Sequence, residues 1–174
     1  MNPAAPAQGG AQLISLVLFA LAARWYLQPR LASLPRATAL TILLWVHAFR
    51  YVALQIFSAQ TTGFPISDGG AREIVIGDVG GAAIAISAIL LFRLRQPGLG
   101  VPLVWLLIAE TAYDTVTNIR GGVREHLMGA ASGVTWMILV FFVPLVIVSA
   151  LLLAVQLVTR RGERFGSEPQ GSAT

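Results

Sequence analysis

Five long apolar stretches divide this chain, and the polar positions inside them recur at helical rather than strand spacing. They cover roughly residues 11–28, 38–58, 73–94, 100–119 and 133–158. Each is close to the ~20 apolar residues a helix needs to cross a hydrocarbon core about 30 Å thick. The pattern predicts an all-α, polytopic integral membrane protein: one domain over residues 1–158, a bundle of five transmembrane helices. Residues 159–174 are polar and rich in Gly and Ser, and read as a disordered cytoplasmic tail. The opening MNPAAPAQGG carries no basic residue, unlike a secretory n-region, so the first stretch reads as a span. Pro144 predicts a kink in the fifth helix.

Arginine placement orients the bundle. Arg24, Arg30, Arg36, Arg93, Arg95, Arg160, Arg161 and Arg164 fall on one side of a five-span topology, whereas Arg72, Arg120 and Arg124 fall on the other. Basic residues accumulate on the cytoplasmic side, so eight against three predicts the N-terminus outside and the C-terminus inside.

Ionisable residues interrupt three of the spans: His47 and Arg50 in the second, Asp78 in the third, Glu110 and Asp114 in the fourth. A charge at the centre of a span costs on the order of 2.5–3.5 kcal/mol on insertion scales. At about 1.5 Å of rise per residue, His47 lies about 13 Å and Arg50 about 18 Å above the inner end. Glu110, Asp114 and Asp78 fall near about 15, 21 and 22 Å on the same scale. All five therefore converge on one layer. Glu110, Asp114 and Asn118 recur every four residues, with Thr117 on the same face. His47, Tyr51, Gln55 and Ser58 make a second predicted stripe with Arg50 at its edge. On the third helix Gly77, Gly81, Ala85 and Ala88 form a small-residue ridge that lets a neighbour approach closely. The fifth helix has few polar residues and reads as an outer wall facing lipid or a partner.

Charge counting sharpens the picture. With His47 neutral, Arg50 faces Asp78, Glu110 and Asp114, an excess of two negatives in a low-dielectric layer. A proton or another cation is expected to accompany the layer. The competing expectation is that the acids and Arg50 pair only to fix helix register.

Composition agrees with the class and removes several chemistries. Of 174 residues, 56% are hydrophobic and 11% charged, with a mean hydropathy of +0.73; soluble domains carry about 25% charged residues. The absence of Cys excludes disulfides and thiolate metal sites, and the absence of Lys excludes Schiff-base chemistry. Despite a pI near 10.7, the arginines form no patch with interleaved aromatics, so nucleic acid is not an expected partner. No motif specifies a cofactor, and no ligand spacing specifies a metal. His47 and His126 would meet as ligands only if the loop between the fourth and fifth helices folded into the bundle. That loop, and the Phe64-Pro65-Ile66 loop, are candidate covers for the polar layer.

Three function classes follow. The first is a protein of the inner (cytoplasmic) membrane that binds or moves a small polar solute or cation with proton coupling. In it Glu110 or Asp114 exchanges the proton and Arg50 holds the solute, with a homodimer expected. The second is a non-catalytic subunit of a larger membrane complex. The third is an intramembrane enzyme acting on a lipid or quinone, which requires an opening beside His47. The candidate binding residues are His47, Arg50, Asp78, Glu110, Asp114 and Asn118, with Tyr51, Gln55, Thr117 and His126 around them.

Overall fold

A computed structural model describes residues 4–163, and no strand occurs among them. Five helices are long and apolar enough to cross a membrane: α1 (Ala4–Ser33), α2 (Arg36–Thr61), α3 (Asp68–Arg93), α4 (Pro97–Arg124) and α5 (Gly133–Thr159). They run longer than the apolar stretches because hydropathy marks the lipid-length window, while capping sets where a helix stops. Ser67 caps α3 by accepting from the Gly70 amide at 3.0 Å. His126 ends α4 in the left-handed region, φ 56°, and the following Leu127 amide reaches back to the Gly122 carbonyl at 2.9 Å. Arg95 ends α3 the same way, with the Gln96 amide on the Leu91 carbonyl.

Local distortions occur at predictable chemistry. Pro29 and Pro144 each lack an N–H, and each follows a π-helical turn, at Ala23–Leu27 and Ile138–Phe142. At Pro144, where the sequence predicts a kink, the departure from a regular α-helix is this π turn. The Gln12 amide on α1 donates to the Leu139 carbonyl inside the second π turn at 3.1 Å, serving an acceptor the widened turn leaves weakly engaged.

In α2 the segment Phe49–Leu54 winds as a 3₁₀ helix, three residues per turn. Burial accordingly follows every third residue, through His47, Arg50, Ala53 and Ile56. The predicted stripe of His47, Tyr51, Gln55 and Ser58 assumed an uninterrupted α-helix and does not form; Tyr51 is 51% exposed, against Phe49. Tightening the helix moves Arg50 from the edge of the stripe to its middle.

The bundle has two unlike halves. At the end where the α1–α2 and α3–α4 turns lie, Leu40, Leu44, Leu107 and Leu153, with Ala85 and Ala88, form a buried apolar core, and an apolar groove of about 430 Å³ lies beside it between α1, α2 and α5. Arg36 donates to the Leu157 carbonyl, and Arg160 donates to the carbonyls of Leu31 and Leu34, lacing that end shut. Residues 159–163 therefore do not join a loose tail: Thr159 completes α5 and Arg160 is anchored, while 164–174 lie outside the described residues. The expectation for the fifth helix is also corrected. In its most apolar window 44% of α5 is buried against 6% for α1, so α5 is an inner helix and α1 the peripheral one. The Ser149 hydroxyl donates to the Leu43 carbonyl from that inner face.

Candidate functional site

Arg50 organises the polar layer. Its Nε donates to Asp78 Oδ1 at 2.8 Å, and Nη1 donates to Glu110 Oε2 at 2.6 Å and to Thr111 Oγ1 at 3.1 Å. Nη2 donates to Glu110 Oε1 at 3.2 Å and to Asp114 Oδ2 at 2.8 Å. A guanidinium has five N–H donors, and here all five are engaged, two of them in a fork on Glu110. Arg50 is 1% exposed, so none of its charge is available to bulk water. The Asn118 amide donates to Asp114 Oδ2 at 3.1 Å. Because an ionised carboxylate only accepts, that bond assigns the Asn118 amide nitrogen to the Asp114 side. The other terminal atom, Asn118 Oδ1, is buried with no partner among the described residues.

Two glycines of the α3 ridge make room for this assembly. A Cβ at Gly77 would collide with Asp114 Oδ1, and one at Gly81 with Arg50 Nη1 and Glu110 Oε2. The ridge thus admits charged side chains from α2 and α4 as well as close helix packing. Gly80 has nothing within 4 Å of its would-be Cβ and serves as an internal control. Gly81→Ala is expected to cost about 1–3 kcal/mol through overpacking. Gly80→Ala should be neutral or stabilising by up to about 1 kcal/mol, since Ala is the better helix former. Unfolding of the two variants side by side checks this; equal stabilities would mean the charged groups relax away from α3 without cost.

The sequence-predicted residues divide cleanly. Arg50, Asp78, Glu110, Asp114 and Asn118 meet in one connected network. Thr117 joins only through its hydroxyl on the Asp114 carbonyl. Gln55 pairs with Thr135 of α5 instead, and both line the cavity described below. Tyr51 faces outward, and His126 is an exposed helix-ending residue, so neither belongs to the cluster. His47 is fully buried one 3₁₀ turn from Arg50, and neither ring nitrogen has a partner among the described residues. It makes no ion pair with the three acids. Thr111 was missed, although its position three residues before Asp114 already placed it on that face. Among the described residues no group of His, Asp and Glu has the arrangement of a metal site. Arg50 itself fills the centre of the three carboxylates.

A cavity of about 500 Å³ opens above the cluster, on the side away from the packed apolar core. Its floor includes Arg50, Asp78, Asp114 and Asn118, and its walls are largely apolar side chains of all five helices. His47 lines neither this cavity nor the apolar groove at Leu43, Val46 and Leu152 between α1, α2 and α5.

The loops that follow α2 and α4 meet over the rim. Ile66 packs with Ile56 and Ala71, against Phe64 and Leu127. Glu125 accepts from the Ser67 amide at 2.8 Å and from its hydroxyl at 2.9 Å. The Ser67 amide, then the hydroxyl, hold the Glu125 carboxyl below the ordinary glutamate range. A depressed folded-state pKa gives stability that is present above the unfolded value and lost as pH falls through the folded one. Exchange of the Ser67 amide should therefore accelerate as pH drops below the ordinary glutamate range, beyond the intrinsic pH trend. In Glu125→Gln that added acid dependence should vanish; its persistence would place the sensitivity elsewhere.

A family described as a domain of unknown function (DUF8737) matches residues 8–158, which spans all five helices. No curated protein matches the chain, and no solved structure matches it.

Proposed function

This chain belongs to the DUF8737 family, and on that footing we propose that it is an integral protein of the cytoplasmic membrane that binds a small cation or polar solute at the Arg50 layer and moves it in exchange with protons. The charge balance carries this reading. One guanidinium with every donor engaged faces Asp78, Glu110 and Asp114, which leaves two negative charges in a largely buried site. Such an excess is unfavourable in low dielectric and is relieved by a proton or a cation.

Arg50 then has a different role from the one its sequence position invited. With no donor free it cannot hold an anionic solute; it holds three carboxylates in one place. A cation arriving from the cavity would meet Asp78 and Asp114, and a proton leaving the layer would keep the total charge constant. This exchange is the simplest form of coupling between the two.

The arginine bias supports an orientation with the N-terminus outside and the C-terminus inside. In that frame the cavity opens outward, and the buried apolar core with its Arg36 and Arg160 ties lies toward the cytoplasmic end. The arrangement fits a carrier in its outward-facing state.

Infrared difference spectroscopy of the protein in lipid nanodiscs tests the reading directly. With no added organic cation, a protonated carboxyl stretch is expected at neutral pH. It should disappear in at least one of Asp78→Asn, Glu110→Gln and Asp114→Asn. A spectrum containing only carboxylates at neutral pH would sink the proton-exchange proposal.

A further inference from the structure

The geometry points to a particular class of occupant for the cavity above the Arg50 layer: an amphipathic organic monocation, an ammonium group on an apolar body of drug-like size. The inference rests on the reading of that layer as a cation site and adds what the cation must look like. Three independent features converge on it.

The first is the sign of the lining. Asp78 and Asp114 form part of the floor, and Glu73 and Glu125 stand toward the rim. Arg50 is the one cation among the lining residues, and its donors are all engaged. A ligand carboxylate or phosphate would find acceptors where it needs donors. The same argument disfavours a zwitterionic lipid headgroup, whose phosphate would lie among the acids beside its ammonium.

The second feature is an acceptor without a donor. Asn118 lines the cavity, its nitrogen is committed to Asp114, and its buried Oδ1 has no partner among the described residues. A buried amide carbonyl left unmade costs free energy comparable to a lost hydrogen bond. A ligand N–H close to Asp114 satisfies it after a small side-chain shift. An alkali ion could coordinate the same oxygen, so this feature points to a cation and the walls decide which kind.

The third feature is the wall. Above the acids the cavity is faced by Leu16, Ile56, Ile74, Leu139, Phe142 and Ile147. A hydrated inorganic cation gains nothing from these surfaces, whereas an apolar body gains by burying area against them. A volume of about 500 Å³ lies within the range of small-molecule sites. Apolar walls with a few convergent polar groups at one end describe a site for a molecule polar at one end only.

The probe is 4-phenylbutylammonium, titrated calorimetrically into the full chain in nanodiscs at neutral pH and in a weakly buffered medium. Two ligands of matched body, 4-phenylbutanol and 4-phenylbutyrate, serve as controls, together with a short-chain phosphatidylethanolamine. The amine is expected to bind about tenfold or more tightly than each of them, the margin a desolvated charge contact supplies. In Asp114→Asn that preference should collapse, while the alcohol's affinity is unchanged. Equal binding of amine and alcohol would overturn the assignment, as would tighter binding of the carboxylate or the zwitterion. The same titration separates this inference from the one beneath it. Amine binding without proton release leaves the ligand class standing and removes the exchange. Failure of the amine to bind, with a protonated carboxyl still present at neutral pH, removes the ligand class and leaves the exchange.

Discussion

Replacing Arg50 with methionine is expected to destabilise the protein more than any other single change in the layer, by about 3–5 kcal/mol, because three largely buried carboxylates lose their shared partner at once. Methionine keeps the length and apolar bulk of the side chain, so the loss reports on charge rather than on a cavity. Chemical unfolding in detergent at neutral pH measures it. Adding Glu110→Gln to the Arg50→Met background should recover part of the loss by removing one of the stranded charges. The single neutralisations in the parent are expected to behave in the opposite sense. Asp78→Asn, Glu110→Gln and Asp114→Asn each lower an excess of two negatives, and should leave stability unchanged or raise it. Such gains mark a site whose charge is carried at a cost to stability. Losses of several kcal/mol in all three variants would instead identify the layer as a register-fixing ion-pair network.

Leu153→Ala carries the second large effect. Leu153 is fully buried in the apolar core of the bundle. Truncating it removes packing that the neighbouring helices cannot easily restore, at a cost of about 2–4 kcal/mol. Leu18 of α1 is 60% exposed and provides the contrast. Leu18→Ala should change stability by no more than about 0.5 kcal/mol, as is usual for surface sites. The pair of measurements decides which helix is internal. Similar, small effects at both positions would restore α5 to the periphery.

How far these features were legible depended on the kind of signal available. The convergence of Arg50 with Asp78, Glu110 and Asp114 followed from depth alone, because a regular rise turns sequence position into height. Rotation about a helix axis was harder to read. The 3₁₀ segment Phe49–Leu54 changes the angle per residue, and nothing in its sequence announces that change. This moved Arg50 inward and Tyr51 out. The place of α5 was illegible for another reason: a helix apolar on every face does not say which face is inside. Its few polar groups held the clue, since Ser149 and Gln156 are both buried. Helix ends were missed where hydropathy stops before hydrogen bonding does. Asp68 begins α3 under the Ser67 cap, five residues before the apolar run, and α4 continues to Arg124.

The shared grip of Arg50 also bears on how the chain is assembled. In a bilayer, α2 would enter with a guanidinium that has no counter-ion yet, since Asp78 follows it by 28 residues and Glu110 by 60. During that interval α2 carries an insertion penalty of about 2.5–3.5 kcal/mol. The α3–α4 hairpin carries its own penalty from three acids until Arg50 is within reach. Neither piece is comfortable in lipid alone, and each relieves the other. If the bundle spans a bilayer as proposed, its biogenesis is expected to be a pairing event, with α2 held at the edge of the insertion machinery until the hairpin that neutralises it enters lipid with it.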